Sequence, residues 1–508
     1  MDNRAFTRGP GGLGGGTLKK HSLIKLAGLV VAAALAFTGC DSGGSDPGVV
    51  LGGGGGTSTT GGGTTTTTTT TGGTTGFGIT GGSLTGAFGG TGGSSGTGSS
   101  GGSTGNPGGN TGNTGGTAGN GFLGSVGILD LETGLNNPTD FSAIVVNGTA
   151  RFVVIDGFRQ GANQGRLLIS NGTDFVQVGA NQGTDPNVGP DLDSPFAMVA
   201  LGNTLFISVG FGQTNDGKIV RVDNFQQNGN AINATFTDIT ANFTPPINPA
   251  YMTIVSNVNA DGNGPKDFIY FTQYSSNTGG ANVVRRVSTD GTLSQIVVNN
   301  LNFPAGIDHD GVRLVVCDAA GGAGSNGQVI KVPLTNVVTT PLNGSSGTDV
   351  TIVQPAQGEA AIVRPLEVAY DGNNGFFYTE GGAIQAQTGP AALGPGQGRV
   401  RFITRTGSTA TIVNDGLTNA AGIDAIDSND DGTSAVLFSE AIVSTGRVLR
   451  RLVNTNNINN TVTPTATDTG INNPLFVGIA DEDDPLLFAV INYIGGQANG
   501  IFRSYSGN

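Results

Sequence analysis

Gly134-Leu135-Asn136-Asn137-Pro138 and Gly470-Ile471-Asn472-Asn473-Pro474 are two copies of one turn, more than three hundred residues apart. Between them the same grammar recurs. A turn residue, usually followed by Pro, opens a short apolar run at Pro138, Pro195, Pro249, Pro304, Pro365, Ala421 and Pro474, spaced by 53 to 61 residues. A second apolar run follows each marker, as in Phe152–Asp156, Leu314–Asp318, Phe376–Glu380 and Val436–Glu440. A third opens with Gly at Gly165, Gly217, Gly327, Gly398 and Gly446, and a fourth closes most units, as in Thr235–Phe243, Ser294–Leu301 and Thr409–Leu417. Short β-branched and aromatic runs between Gly, Asn, Asp and Pro turns read as strands, and no stretch carries a capped helical period.

Four strands per unit at a fixed period predict an all-β fold, a seven-bladed β-propeller, because one four-stranded unit cannot bury both faces and a closed ring can. The ends agree. The last unit has room for three strands after Pro474, and the missing fourth lies in Ser125–Leu135, ahead of the first marker. That N-terminal strand is expected to complete the last blade. A string of β-sandwich domains, the competing reading, does not explain why one end lacks the strand that the other has in surplus.

The 508 residues include 91 Gly, no Trp and only 12% charged residues, which excludes coiled coils, helical bundles and charged solvating proteins. Two Cys exclude a disulfide scaffold. The net charge of −13, with its acidic excess after Phe122, argues against nucleic acid and anionic polymers as partners.

Residues 1–39 have the layout of a signal peptide. Lys19, Lys20 and Lys25 precede an apolar run, Leu26–Phe37, too short to span a bilayer comfortably. It ends in Phe37-Thr38-Gly39-Cys40, which resembles a bacterial lipobox with Phe in place of the preferred Leu. The resemblance implies a diacylated Cys40, palmitate-type chains and a membrane anchor; the alternative is an ordinary secretory signal with an incidental Cys. Asp41 resembles a proteobacterial signal for retention in the inner membrane. Residues 40–121 are almost wholly Gly, Thr and Ser, with Thr64–Thr71 as the extreme. Without an apolar face such a segment cannot offset its ordering entropy, so a disordered tether with a reach of roughly 50 Å is expected.

Residues 122–508 are expected to form the propeller. The Pro-x-x-apolar opening, a second strand often ending in an acid, and the Gly-Arg/Lys third strand resemble bacterial seven-bladed propellers of the NHL, streptogramin-lyase and ScyD/ScyE-like class. The resemblance implies architecture and says little about chemistry.

In such a ring the second strand ends at the face where ligands usually meet the channel mouth. Its last residue in units one to seven is Asp156, Val209, Gln273, Asp318, Glu380, Glu440 and Ile491. Asp318, Glu380 and Glu440 thus place carboxylates on one arc, with Asp156 apart and Asp140 and Glu367 on innermost strands near the same level. Clustered carboxylates with Asn and carbonyl groups nearby could hold Ca²⁺. The structural alternative is a clasp: Arg166, Arg399 and Arg447 open the third strands of units one, five and six and flank the same loop as the acid. Gln328 replaces the Arg in unit four, which makes Asp318 the candidate functional acid. Asp427–Gly432 looks like the start of a calcium loop, yet position twelve is Phe438, and Asn, Asp and Gly are also what a tight turn needs. Cys317 reads as a small buried apolar residue.

The predicted propeller has one His, His309, in an Asp-His-Asp-Gly turn away from the mouth, so a Ser-His-Asp triad and a multi-His metal centre are not expected. No catalytic residue is assigned. The leading expectation is a monomeric, lipid-anchored module of the bacterial cell envelope that binds an envelope protein, a glycan or a small molecule. The alternative is a Ca²⁺-dependent hydrolase or lactonase with an acidic site at the mouth.

Overall fold

The computed structural model describes residues 127–157, 165–171, 174–180, 191–210, 217–242, 247–260, 264–273, 282–321, 326–334, 338–381, 396–427, 431–442, 445–458, 465–471, 473–479, 487–491 and 500–506. The expected signal peptide, Cys40 and the tether lie outside them. The described residues are all-β with no helix, and their strands form seven sheets.

Sheet one comprises Asp140–Val146, Thr149–Asp156, Gly165–Ser170 and Phe175–Gln177, with Asp191–Leu192 paired to its third strand. Sheet two runs Pro195–Leu201, Thr204–Val209, Lys218–Asn228 and Ala231–Asp238; sheet three runs Pro249–Val258, Lys266–Gln273, Val283–Ser288 and Ser294–Asn299. Sheet four holds Pro304–His309, Arg313–Asp318, Gln328–Pro333 and Thr351–Ile352. Sheet five holds Pro365–Tyr370, Gly375–Glu380, Gly398–Thr404 and Thr409–Leu417; sheet six holds Ala420–Ile426, Thr433–Glu440, Gly446–Asn454 and Thr465–Ile471. Sheet seven takes Pro474–Ile479, Leu487–Ile491 and Gly500–Ser506, and its fourth strand is Gly127–Leu135, antiparallel to Gly500–Ser506 in the register Gly127 to Ser506 and Leu135 to Gly500.

Two details differ from the sequence reading. The fourth strand of sheet two is Ala231–Asp238, not Thr235–Phe243, because the Asp238 carboxylate accepts the N–H and hydroxyl of Thr240 and turns the chain out of the ladder. His309 ends a strand rather than sitting in the turn, and its Nδ1 accepts the N–H of Gly311. Beyond the expected meanders, the short segments Gly179–Ala180, Leu342–Asn343 and Gln354–Pro355 pair in parallel with the outer strands of sheets two, three and five. They cover edges that would otherwise present unpaired N–H and C=O groups.

Four of the marker prolines follow a tight reversal. Asn137, Ser194, Arg364 and Asn473 precede them with φ of 61°, 51°, 47° and 49°, and Asn419 precedes Ala420 with φ of 57°. Asn tolerates this left-handed region better than Ser or Arg does. Immediately after the marker, the first strands of sheets two to seven shift register against their second strands, as between Pro195 and Met198 or Ala420 and Ile423. The third-strand glycines are required by close approach. A β-carbon on Gly446 would lie 2.5 Å from Cδ of Pro474, and one on Gly165 would lie 2.6 Å from Cδ of Pro195. Gly500 meets Pro138 in the same way at 2.7 Å, across the two ends of the chain.

Apolar side chains fill the spaces between consecutive sheets. Ile155 and Ile207 join sheets one and two, Val284 and Val316 sheets three and four, Cys317 and Tyr378 sheets four and five, and Phe402 and Phe438 sheets five and six. Phe502 of sheet seven packs on sheet one, with ring centroids 5.2 Å from Phe141 and 5.8 Å from Phe152. Full burial of each such ring contributes about 1.5–3 kcal/mol.

Candidate functional site

The second strands place their terminal acids as expected, at the ends from which the loops to the third strands depart. Those loops lie wholly or partly outside the described residues, so the site is described from its base. Asp156, Asp318, Glu380 and Glu440 are all buried, with at most 1% of their surface exposed.

Each is held within its own sheet. Asp156 Oδ2 lies 3.0 Å from Arg166 Nε and 2.9 Å from Nη2. Glu440 pairs through Oε2 with Arg447, while its Oε1 accepts the N–H of Thr418 at 2.6 Å. Glu380 pairs with Arg399 at 3.5 Å and more closely, at 2.7 Å, with the buried Arg401. Arg401 in turn reaches Glu359 at 2.8 Å and the carbonyl of Ala360 at 2.6 Å. Asp318 accepts the N–H of Phe303 at 2.6 Å, that of Asn302 at 3.1 Å, and Gln328 Nε2 at 3.2 Å. The acid therefore ties the start of the third strand in all four sheets; in sheets one, four and six it also ties the turn that enters the first.

Burial raises the pKa of Asp156, Asp318 and Glu380, and their partners oppose it. Asp156 and Asp318 lie above the ordinary carboxylate value, held down in part by backbone N–H groups and by Arg166 or Gln328. Glu380 is pushed up to about 7 by burial, against the pull of Arg401 and Arg399. Burial also raises the Cys317 thiol, and Glu380, Glu367 and Asp318 add in the same direction.

Asp140 and Glu367 serve a second system that the sequence did not announce. Asp140 Oδ2 accepts the N–H of Met198, in the first strand of the next sheet, at 2.8 Å. Glu367 Oε2 accepts the N–H of Ile423 at 3.1 Å, Asp308 Oδ2 that of Tyr370 at 2.8 Å, and Asp424 Oδ2 that of Ile479 at 2.8 Å. Acids on innermost strands thus join sheets one to two, four to five, five to six and six to seven. Asp308 and Asp424 were not among the predicted site residues. Their offsets from the marker differ, two residues for Asp140 and Glu367, three for Asp424 and four for Asp308, so no single spacing finds them.

Between these strands three aromatic rings meet. Phe196 stands edge-on to Tyr251 at 5.1 Å and to Phe476 at 6.0 Å, joining first strands of sheets two, three and seven. Burial drives the Tyr251 hydroxyl far above its ordinary pKa, with Glu367, Cys317 and Asp140 adding in the same direction. The meeting point of these first strands is therefore apolar.

Among the described residues no three His, Cys, Asp or Glu side chains form a group able to hold a metal ion. Of the loop Asp427–Gly432, residues 428–430 lie outside the description. Asp427 Oδ2 accepts the Gly432 N–H at 3.1 Å and the side-chain amides of Asn373 and Asn374. Cys317 is fully buried and free.

No family model matches the sequence, and no curated protein matches it. Among solved structures the chain is similar to an oligogalacturonate lyase in complex with manganese, at 11% identity and a TM-score of 0.45, over 76% of this chain and 95% of that one. It is similar to the Dos1 propeller at 8% identity and a TM-score of 0.44, over 75% and 94%. A third similar structure is a puromycin-hydrolyzing peptidase of Mycobacterium tuberculosis, at 10% identity and a TM-score of 0.41, covering 70% of this chain; the chain spans 48% of that peptidase's length.

Proposed function

We propose that this chain is a lipid-anchored, extracytoplasmic seven-bladed propeller whose channel mouth binds an envelope protein, a glycan or a small molecule. The seven sheets are read as blades of one ring closed by Gly127–Leu135. Three observations support closure: the pairing of that strand with Gly500–Ser506, the packing of Phe502 on Phe141, and the seating of Pro138 against Gly500. The anchor is Cys40, reached through the Gly/Thr/Ser tether.

The observation that carries the binding reading is the engagement of the mouth acids. Asp156, Glu380 and Glu440 face their own arginines, and Asp318 faces backbone N–H groups and Gln328. A hydrolase using Ca²⁺ needs carboxylate oxygens that converge on one point, and these diverge into four clasps. A binding module needs a rigid rim, which clasps supply.

Calcium titration of the full-length protein by thermal unfolding tests the reading. No saturable stabilisation is expected; a large one, abolished in Asp318→Asn, overturns it in favour of the hydrolase. For the anchor, Cys40→Ala is expected to abolish labelling by a palmitate analogue in a bacterial host and to move the protein out of the membrane fraction. Labelling that persists in the variant overturns the anchor.

A further inference from the structure

Sheets four and five are joined by a second polar knot, at the strand ends opposite the mouth. After the first strand of sheet four the chain turns through Asp310-Gly311-Val312-Arg313, and Asp310 Oδ1 accepts the N–H groups of Val312 at 2.8 Å and Arg313 at 2.7 Å. Asp310 Oδ2 lies 3.1 Å from Arg405 Nε and 3.9 Å from Arg313 Nη1. Arg405 Nη2 donates to the Asp310 carbonyl at 3.1 Å. The Arg405 carbonyl receives both Arg313 Nη1 at 3.0 Å and Lys331 Nζ at 3.1 Å, and Lys331 also donates to the Thr404 carbonyl at 2.6 Å.

Among the described residues, three cations are thus gathered about one turn with one carboxylate between them. The nearby acids are engaged elsewhere. Asp308 accepts the N–H groups of His309 and Tyr370, and Asp371 accepts those of Asn373, Asn374 and Gly375 together with the Ser434 hydroxyl. Lys331 bears the consequence: burial and the neighbouring Arg313 bring it down to about 8, with Asp310 only partly offsetting them. The guanidinium-bearing side chains remain accessible, at 33% for Arg313 and 43% for Arg405, while Asp310 is fully covered. In a chain of net charge −13, such an assembly of like charges is held in place by shared acceptors, with two guanidinium groups facing outward.

We propose that Arg313 and Arg405, backed by Lys331, bind one oxyanion group, a carboxylate or phosphate carried by a small ligand. The planar guanidinium fork matches such a group in two-point contact. The acidic excess of the chain disfavours a polyanion. The site lies at the opposite strand ends from the mouth, so its test does not depend on the mouth reading.

Full-length protein in detergent is titrated with inorganic phosphate and with acetate at fixed ionic strength, chloride serving as control, and read by thermal unfolding and by ³¹P line broadening. A saturable rise in Tm with phosphate is expected, and Arg313→Gln, which leaves the Arg405–Asp310 and Lys331 contacts in place, is expected to weaken it by about tenfold or more in apparent Kd. Arg313→Lys keeps the charge and is expected to retain part of the response, which checks that loss in the Gln variant is not loss of fold. No saturable response to phosphate, an equal response in Arg313→Gln, or a response confined to a sulfated polysaccharide overturns the proposal.

Discussion

Sheet four ends its second strand in Cys317-Asp318 and sheet five ends its own in Thr379-Glu380. The backbone places are the same, and all four side chains are buried. The chemistry differs. Asp318 is held by neutral donors, the N–H groups of Asn302 and Phe303 and the amide of Gln328. Glu380 is held by two guanidinium groups, one of them fully buried and shared with Glu359. One architectural need, tying a loop at a strand end, is met once by hydrogen bonds and once by an ion network. The two solutions fail differently when broken.

The largest effect is expected in sheet five. Glu380→Ala leaves Arg401 buried with Glu359 as its remaining carboxylate partner, and losing one member of a buried ion network costs about 3–5 kcal/mol. Asp318→Ala leaves buried N–H donors without an acceptor and no buried charge, so about 2–3 kcal/mol is expected. Urea denaturation of both variants checks the order. Equal losses would mean that charge does not distinguish the two clasps. Gly500→Ala tests closure itself: its new methyl meets Pro138 Cδ at 2.7 Å and the Leu135 carbonyl at 2.8 Å, and overpacking of this kind costs about 1–3 kcal/mol. Wild-type stability in that variant would break the reading of the two ends as neighbours.

The Glu380 clasp also responds to pH. Glu380 has an ordinary value near 4.5 and sits at about 7 in the fold. A raised folded pKa means that the native state binds the extra proton, so this group's stabilising contribution is full below about 4.5 and is lost as pH rises through 7. Glu380→Gln removes that tilt, and stability measured from pH 4.5 to 7.5 is expected to fall less steeply in the variant than in the wild type. A slope unchanged by the substitution would assign the titration elsewhere.

What the sequence made legible, and what it hid, follows from range. The clasp pairs were readable because Asp156 and Arg166, or Glu440 and Arg447, flank a single loop. The end-to-end pairing was readable because the turn around Asn137-Pro138 is repeated around Asn473-Pro474. The acceptors between sheets were hidden: Asp140 reaches Met198 and Asp424 reaches Ile479, and a backbone N–H leaves no mark on residue identity. Arg401 was hidden for a related reason. It is two residues beyond the predicted Arg399, and only the facing of the strand shows that it is the closer partner of Glu380. The register shifts after each marker add to this, since they change which N–H groups fall out of the ladder without changing the apolar pattern.

The smallest expected effect lies at the last residue but one of the second strands. In sheets two, five and six this place is Ser208, Thr379 and Ser439, and each hydroxyl accepts an N–H that the shifted first strand releases, from Ala197 at 2.9 Å, Glu367 at 3.3 Å and Gly422 at 2.9 Å. Sheet four has the same shift, between Pro304 and Ile307, and puts Cys317 there. The residue equivalent to Ala197, Glu367 and Gly422 is Gly306. A buried Cys changed to Ser ordinarily loses stability, because a hydroxyl enters an apolar site without a partner. Here the sister sheets supply one by geometry: the Ser hydroxyl would stand where an N–H is released. Cys317→Ser is therefore expected to change stability by less than about 1 kcal/mol, whereas Cys317→Val, which fits the apolar neighbours but cannot accept, is expected to do no better. A loss in the Ser variant that clearly exceeds the loss in the Val variant would show that sheet four solves its shift differently from sheet five.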